Sequence, residues 1–330
     1  MFDWCWTVCG EPRTLTKRSD APTLTRVGTA WDDAERAALI ALLRTRPDGL
    51  NWRQITAEVD ARDSALALWN ELYPVDLFDD GAAAPELAAA EREVAQWRDA
   101  DLGFLTFQDP EYPAQLREIH EIPPVLFHRG SLDPGEIGMS VVGSREASPR
   151  GLDIARSAAT GLVDRGITVI SGLAKGIDTA AHTAALDAGG RAVAVIGTGI
   201  NRHYPVENRE LQDRIAAEGL VLSQFWPDAP PTKHTFPMRN AVMSGYGWAT
   251  IVVEAGEHSG ARIQARQAVA HGRPVILTDL VVKASKWSAD LIGQPGVHVA
   301  SSAAEIMSIV DNIAAGPAEI DALFTVAAEG

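Results

Sequence analysis

Two short stretches carry residue types suited to holding a phosphate. Gly143-Ser144-Arg145 follows the apolar run 139–142 and precedes Ser148-Pro149. Ser171-Gly172-Leu173-Ala174-Lys175-Gly176-Ile177-Asp178 follows the apolar run 167–170. A guanidinium offers a planar fork of donors that matches a phosphate, and a lysine offers a point charge. The glycines flanking Lys175 allow close approach of backbone to a ligand. Ser148 suits a helix N-cap, and Pro149 suits the first helical position, where a missing N–H costs nothing. The free N–H groups of such a helix start favour an anion. Arg145 has two readings, a phosphate contact or a surface pair with a carboxylate such as Glu146.

Three more stretches follow the same pattern of apolar run and polar loop. Gly197 to Asn208 is long and rich in hydrogen-bonding groups, which suits a functional rim better than a core. Phe225 to Asn240 interleaves Trp226, Lys233, His234, Phe236 and Arg239. That mixture is the make-up of a single-strand platform, where rings stack on bases and cations follow phosphates. A proline-stiffened lid with its rings packed inward fits the same residues. Glu254 to Ala261 ends in Ser259-Gly260-Ala261, a small-residue helix start with bare N–H groups. The expected contacts are Gly143, Ser144, Arg145, Gly172, Lys175, Gly176, Lys233, Phe236, Arg239, Asn240, Ser259 and Gly260.

Signals for other chemistry are missing. The order G-x4-G-K-[ST] of a P-loop does not occur, and Gly197-Thr198-Gly199 supplies only half of a dinucleotide fingerprint. Ser171 and His182 lack the G-x-S-x-G elbow of a hydrolase. Cys5 and Cys9 stand at a C-x3-C spacing with no second pair and no nearby histidine, so no zinc site is expected. The sequence predicts no catalytic residue, no metal and no cofactor.

Stretches that alternate in type must position these loops. Apolar β-branched runs at 139–142, 167–170, 192–196, 220–223, 250–253 and 274–277, with 297–299 as a seventh, alternate with helical stretches at 149–165, 177–188, 206–218, 236–244 and 261–271. This rhythm predicts a doubly wound α/β fold with a mostly parallel sheet, whose ligands sit outside the carboxyl ends of the strands. Ahead of it, 1–30 reads as a loose arm and 31–103 as a small helical domain. There Asp32 or Asp33 caps the first helix, Pro47-Asp48-Gly49 breaks it, and further helices follow through Trp52 and over 85–97. A connecting segment with a short strand at 125–127 leads into the α/β domain of 104–300. The stretch 301–330 reads as an acidic helical tail.

The chain has 330 residues and a formal net charge of −15. The acidity lies in the flanks: residues 1–138 carry a net −12 and 301–330 a net −5, while 139–300 carry +2. A near-neutral domain still accommodates a local basic patch, so the total neither supports nor excludes nucleic acid. No apolar run approaches the roughly 18 residues of a membrane span, and the start lacks a basic segment followed by an apolar one. A cytoplasmic location without membrane attachment is expected.

Taken in order, these loops resemble the DNA-processing protein A (DprA/Smf) family. The matching stretches are Asp109-Pro110-Glu111-Tyr112-Pro113-Ala114-Gln115-Leu116, Pro124 to Phe127 with Arg129-Gly130, and Val142 to Arg145. Ser171 to Asp178 with Ala181-His182, Tyr204-Pro205 with Glu207-Asn208, Phe236-Pro237 with Arg239-Asn240, and Val253 to Gly256 with Ser259 to Ala261 complete the set. They cover about 104–300, and the helical segment resembles that family's N-terminal (SAM-like) domain. The resemblance implies a Rossmann-like domain that binds single-stranded DNA without sequence preference. It further implies a recombination mediator that protects strands, forms a homodimer and helps load a RecA-type recombinase, in natural transformation or in phage recombination, and that is not an enzyme. Arg145 and Lys175 occupy the positions carried over as DNA contacts, with Arg239 a weaker third.

Three departures stand out. Ala241 replaces the second arginine of an R-N-R motif, the segment after Leu277 lacks a proline-glycine turn, and an acidic tail stands where many relatives carry a winged helix. They fit a shortened or phage-encoded member. The rival reading is a nucleotide-binding sensor or a phosphoribohydrolase resembling the LOG proteins. Glu254 with Gly256 and Ser259-Gly260 is reminiscent of their active-site loop, although the P-G-G-x-G-T-x-x-E pattern is absent.

Overall fold

Capping residues delimit the helices that open the computed structural model, which describes residues 31–74, 84–100 and 102–328. The arm expected at 1–30 lies outside the described residues. Helix α1 (Asp33–Thr45) starts where the Asp32 carboxylate accepts from the Ala34 and Glu35 N–H groups. It ends where Arg46 and Asp48 adopt positive φ around a 3-10 turn at Pro47–Gly49. Asn51 and Gln54 form a reciprocal capping box for α2 (Trp52–Arg62), and Ser64 caps α3 (Ala65–Leu72). Such caps contribute about 1 kcal/mol each. Glu35 is buried in α1, yet its carboxylate accepts from Ser64 Oγ, Ala65 N and Leu66 N, so it ties α1 to the start of α3. Helix α4 (Ala84–Asp99) packs against α1.

Strand β1 (Gly103–Thr106) was not expected; it lies in what the sequence reads as a connecting segment. Its four residues are too few for a pattern, and its partner β2 (Val125–Gly130) defines it through antiparallel pairing. Between them, Asp109 is fully buried and accepts from Thr106 N and Oγ1 and from Arg36 of α1. The Tyr112 hydroxyl donates to the Pro123 carbonyl at 2.8 Å. The Asp-Pro-x-Tyr-Pro stretch is therefore a clamp between α1 and the sheet.

The seven apolar runs form β3 (Gly138–Gly143), β4 (Thr168–Ser171), β5 (Ala192–Val195), β6 (Leu220–Ser223), β7 (Ala249–Glu254), β8 (Val275–Thr278) and β9 (Val297–Ala300). Their crossovers contain α5 (Pro149–Val163), α6 (Ile177–Asp187), α7 (Arg209–Glu218), α8 (Thr235–Tyr246) and α9 (Gly260–Ala270). Helix α7 starts three residues later than its apolar pattern, because 206–208 form a 3-10 turn. A short α10 (Asp279–Ala284) follows β8, and α11 (Ala303–Ala328) runs on from β9.

The nine strands among the described residues share one sheet in the order β1-β2-β6-β5-β4-β3-β7-β8-β9. Pairs from β6 to β9 in that order are parallel, while β1–β2 and β2–β6 are antiparallel. Successive side chains alternate between two cores, as the pleat requires. Met139 and Val141 join the α5, α6 and α11 side, and Val142 joins the side covered by α8, α9 and α1 to α4. The described residues all fall within one compact unit, Trp31–Gly330.

Candidate nucleic-acid interface

From β3 the chain winds one way through β4, β5 and β6, and from β7 the other way through β8 and β9. The neighbouring β3 and β7 thus mark the topological switch point, where the following loops diverge and leave a crevice. A cavity of about 570 Å³ opens there. Gly143, Ser144 and Arg145 line it from β3, and His258, Ser259 and Gly260 line it from β7. Phe236, Arg239 and Asn240 of α8 close a third side.

Glycines set the shape of the crevice. The ladder shifts register between Val142 and Gly143. A Cβ at Gly143 would lie 2.6 Å from Ile177 Cγ1 and 2.8 Å from the Glu254 carbonyl oxygen. Gly176 has a φ of +79°, and a Cβ there would approach the Ser144 carbonyl oxygen to 2.3 Å. The two phosphate-type loops are thereby held together, and Ile177 N donates to that same carbonyl at 3.2 Å. Ser148 caps α5 as expected, accepting from Gly151 N at 3.0 Å.

The Arg145 guanidinium lies 5.4 Å from the centre of the Phe236 ring. It forms no ion pair with Glu146 or any other carboxylate among the described residues. Tyr204 stands on Phe236 with ring centres 5.8 Å apart. A second cavity of about 80 Å³ joins Arg145, Lys175, Tyr204 and Phe236. Lys175 is paired with Glu207, Nζ to Oε1 at 2.6 Å, in solvent. That pair lowers the Glu207 pKa.

Arg239 does not stand on the rim. It is 6% exposed, and its guanidinium fills the space where a Gly172 Cβ would be, 1.3 Å from Nη1. Burial lowers its pKa, and the charge of nearby Arg145 adds to that effect while Asp178 opposes it. Burial raises the Asp178 pKa, opposed by Arg239 and by N–H donation from Ala174 and Gly172. This carboxylate shapes the Lys175 loop from beneath. The Nε of Arg239 has no hydrogen-bond partner among the described residues. His182 is fully buried, and burial pushes its pKa down to about 3 against the opposing effect of the Ser171 backbone, so the ring is neutral.

Of the other expected contacts, Asn240 donates to the Gly260 carbonyl at 3.3 Å, and Ser259 caps α9, accepting from Ala261 N. Lys233 is exposed and lines neither cavity. Ser171 Oγ is buried and donates to the Val141 carbonyl at 2.6 Å. Glu254 accepts from Ser148 N and Oγ, at 3.0 and 2.8 Å from Oε2. The Glu207 pair with Lys175 and the placing of Tyr204 were missed. Thirty-two residues separate Lys175 from Glu207, and only the adjacency of β4 and β5 brings their loops together.

A family model described as DNA recombination-mediator protein A matches residues 103–311. The chain belongs to the DNA recombination-mediator protein A family. Among its relatives, the protein Smf of Synechocystis is 44% identical over 177 residues, which are 52% of this chain and 44% of that protein. The DNA processing protein DprA of Streptococcus pneumoniae is 44% identical over 168 residues, 51% of this chain and 59% of that protein. The matches thus span about half the length of these curated relatives. The X-ray structure of the S. pneumoniae family member superposes with a TM-score of 0.64 at 29% identity, covering 84% of this chain and 95% of that one. A structure concerned with the single-stranded DNA binding mode of DNA processing protein A from Helicobacter pylori shares the fold, with a TM-score of 0.56 at 21% identity. It covers 64% of this chain and 96% of that one.

Proposed function

We propose that the rim above β3, β4 and β7 binds the sugar-phosphate backbone of single-stranded DNA without reading its bases. On this reading the chain acts as a recombination mediator that protects single strands. The observation that carries it is Arg145, a cation without a carboxylate partner among the described residues, laid over an aromatic ring at the switch-point crevice that the capped start of α9 also lines. Phosphate contacts with cations and helix starts position a strand, and stacking on exposed rings adds affinity whatever the base. Single-stranded DNA is also the ligand named for the H. pylori protein that shares the fold.

Assistance to a RecA-type recombinase, assembly as a homodimer and a cytoplasmic location belong to this proposal. No helix among the described residues is long and apolar enough to cross a membrane. Turnover of nucleotides is not part of the proposal, because Glu254 is engaged at the start of α5 and the Ser171 hydroxyl within the sheet. The test is a titration against fluorescent oligo-dT, beside AMP and ADP-ribose, at two salt concentrations. Salt-sensitive binding of oligo-dT with weak binding of the nucleotides supports the proposal. Tight nucleotide binding with no oligo-dT binding overturns it.

A further inference from the structure

Lys175 stands on the wall between two cavities. On one side is the small cavity it shares with Arg145, Phe236 and Tyr204. On the other is a groove of about 560 Å³ beside α5 and α6, which Glu207 and Arg156 also line. Glu207 lines only the groove, and it holds the ammonium at 2.6 Å. Arg145 and Lys175 therefore differ: among the described residues Arg145 has no carboxylate partner, and Lys175 is turned towards one. Both members of the pair are more than half exposed, 54% and 57% for the side chains, so the contact is open to exchange with a dissolved or strand-borne anion.

We propose that Glu207 is an affinity-setting residue of the rim, a built-in anion that competes with the strand for Lys175. This rests on the single-strand reading above. A phosphate that reaches Lys175 must displace the Glu207 carboxylate, and the displaced carboxylate then faces the phosphates with like charge. An exposed ion pair of this kind is worth up to about fivefold in an equilibrium constant. Salt weakens the internal pair as well as the binding of phosphate, so the pair flattens the salt dependence that a free lysine would give. Arg145 anchors the strand without such competition, and Lys175 adds its charge only against Glu207.

The experiment compares full-length wild type, Glu207→Gln, Lys175→Ala, the double variant and Arg145→Ala in oligo-dT titrations at several salt concentrations. Glu210→Gln controls for net charge, because Glu210 is exposed on the first turn of α7 and removes the same charge without freeing Lys175. The expected result is that Glu207→Gln binds about two- to fivefold tighter, with a steeper fall of affinity in salt. That gain should exceed the gain from Glu210→Gln, and it should shrink when Lys175 is already Ala. Glu207→Ser should reproduce the gain, which covers the case that the glutamine variant is less stable in thermal melts. Binding by Glu207→Gln and Glu207→Ser equal to or weaker than wild type overturns the inference alone, provided wild type binds and Arg145→Ala is impaired. If wild type does not bind oligo-dT, the single-strand reading and this inference fall together.

Discussion

Arg145 and the buried groups beneath it set the charge of the crevice. Asp178 offsets Arg239, which leaves Arg145 as excess positive charge beside Phe236. Arg145→Ala should therefore weaken oligo-dT binding by about tenfold, since charge-assisted bonds are worth about 1.5 kcal/mol or more. It should also reduce the slope of log K against log salt by about 0.7, one single-strand phosphate contact; salt-dependent titrations measure both. His182 governs a different property. Its folded pKa of about 3 lies below the usual 6.5, so the unfolded chain binds the extra proton first. The stability due to its neutral form is complete above about pH 6.5 and is lost as pH falls towards 3. Each unit in that window costs about 1.4 kcal/mol. Urea unfolding between pH 7 and 4 should show a shallower decline for His182→Leu than for wild type, by about one proton.

At the scale of elements, the crevice depends on strand ends meeting helix starts without side chains between them. The loop after β4 fits over Arg239 only because residue 172 lacks a Cβ. Gly172→Ala should displace the Arg239 guanidinium from its buried seat or lift the loop that carries Lys175, which Asp178 holds from beneath. A loss of about 1–3 kcal/mol in stability is expected, as for other overpacked interiors, together with weaker oligo-dT binding. Thermal unfolding and titration of the same sample check both. Unchanged melting with unchanged affinity would show that the contact between Gly172 and Arg239 does not shape the rim.

Across the molecule, α1 to α4 lie on the sheet through an aromatic cluster. Trp97 meets Phe104, Phe127 and Trp226, Trp52 meets Trp226 edge-on, and Arg44 lies 4.0 Å from the Trp226 ring centre. Aromatic pairs contribute about 0.5–1.5 kcal/mol each beyond the area they bury. Removing residues before 104 would uncover Phe127 and Trp226 and leave the buried Asp109 carboxylate without Arg36. Such a truncation should unfold at lower urea and bind a hydrophobic dye, although the crevice residues are all retained. Equal urea midpoints would show that the helices contribute nothing to the α/β core. The flanking acidity belongs to the same scale: under the proposed function, the net charge of −15 opposes the approach of a strand and does so most at low salt.

The alternation of short β-branched runs with helical stretches determined the parallel sheet, and the run lengths located its strands to within a residue or two. The cap at Ser148 was legible as well, because a cap is a local contest for backbone N–H groups, whereas the residues 259–261 were read only as a helix start and the structure made Ser259 its cap. So were the loops at the carboxyl ends, since winding alone sends ligands there. Tertiary structure decided what two residues far apart in sequence do to each other. Nothing local distinguishes a rim arginine from a buried one, and only the packing of α8 under Gly172 turned Arg239 inward. Likewise the exposed Lys175 acquired its carboxylate from a loop on the neighbouring strand, and β1 exists only through its pairing with β2. Local contests over backbone geometry are written within a few residues. Burial and the partner of a charge are properties of the assembled sheet.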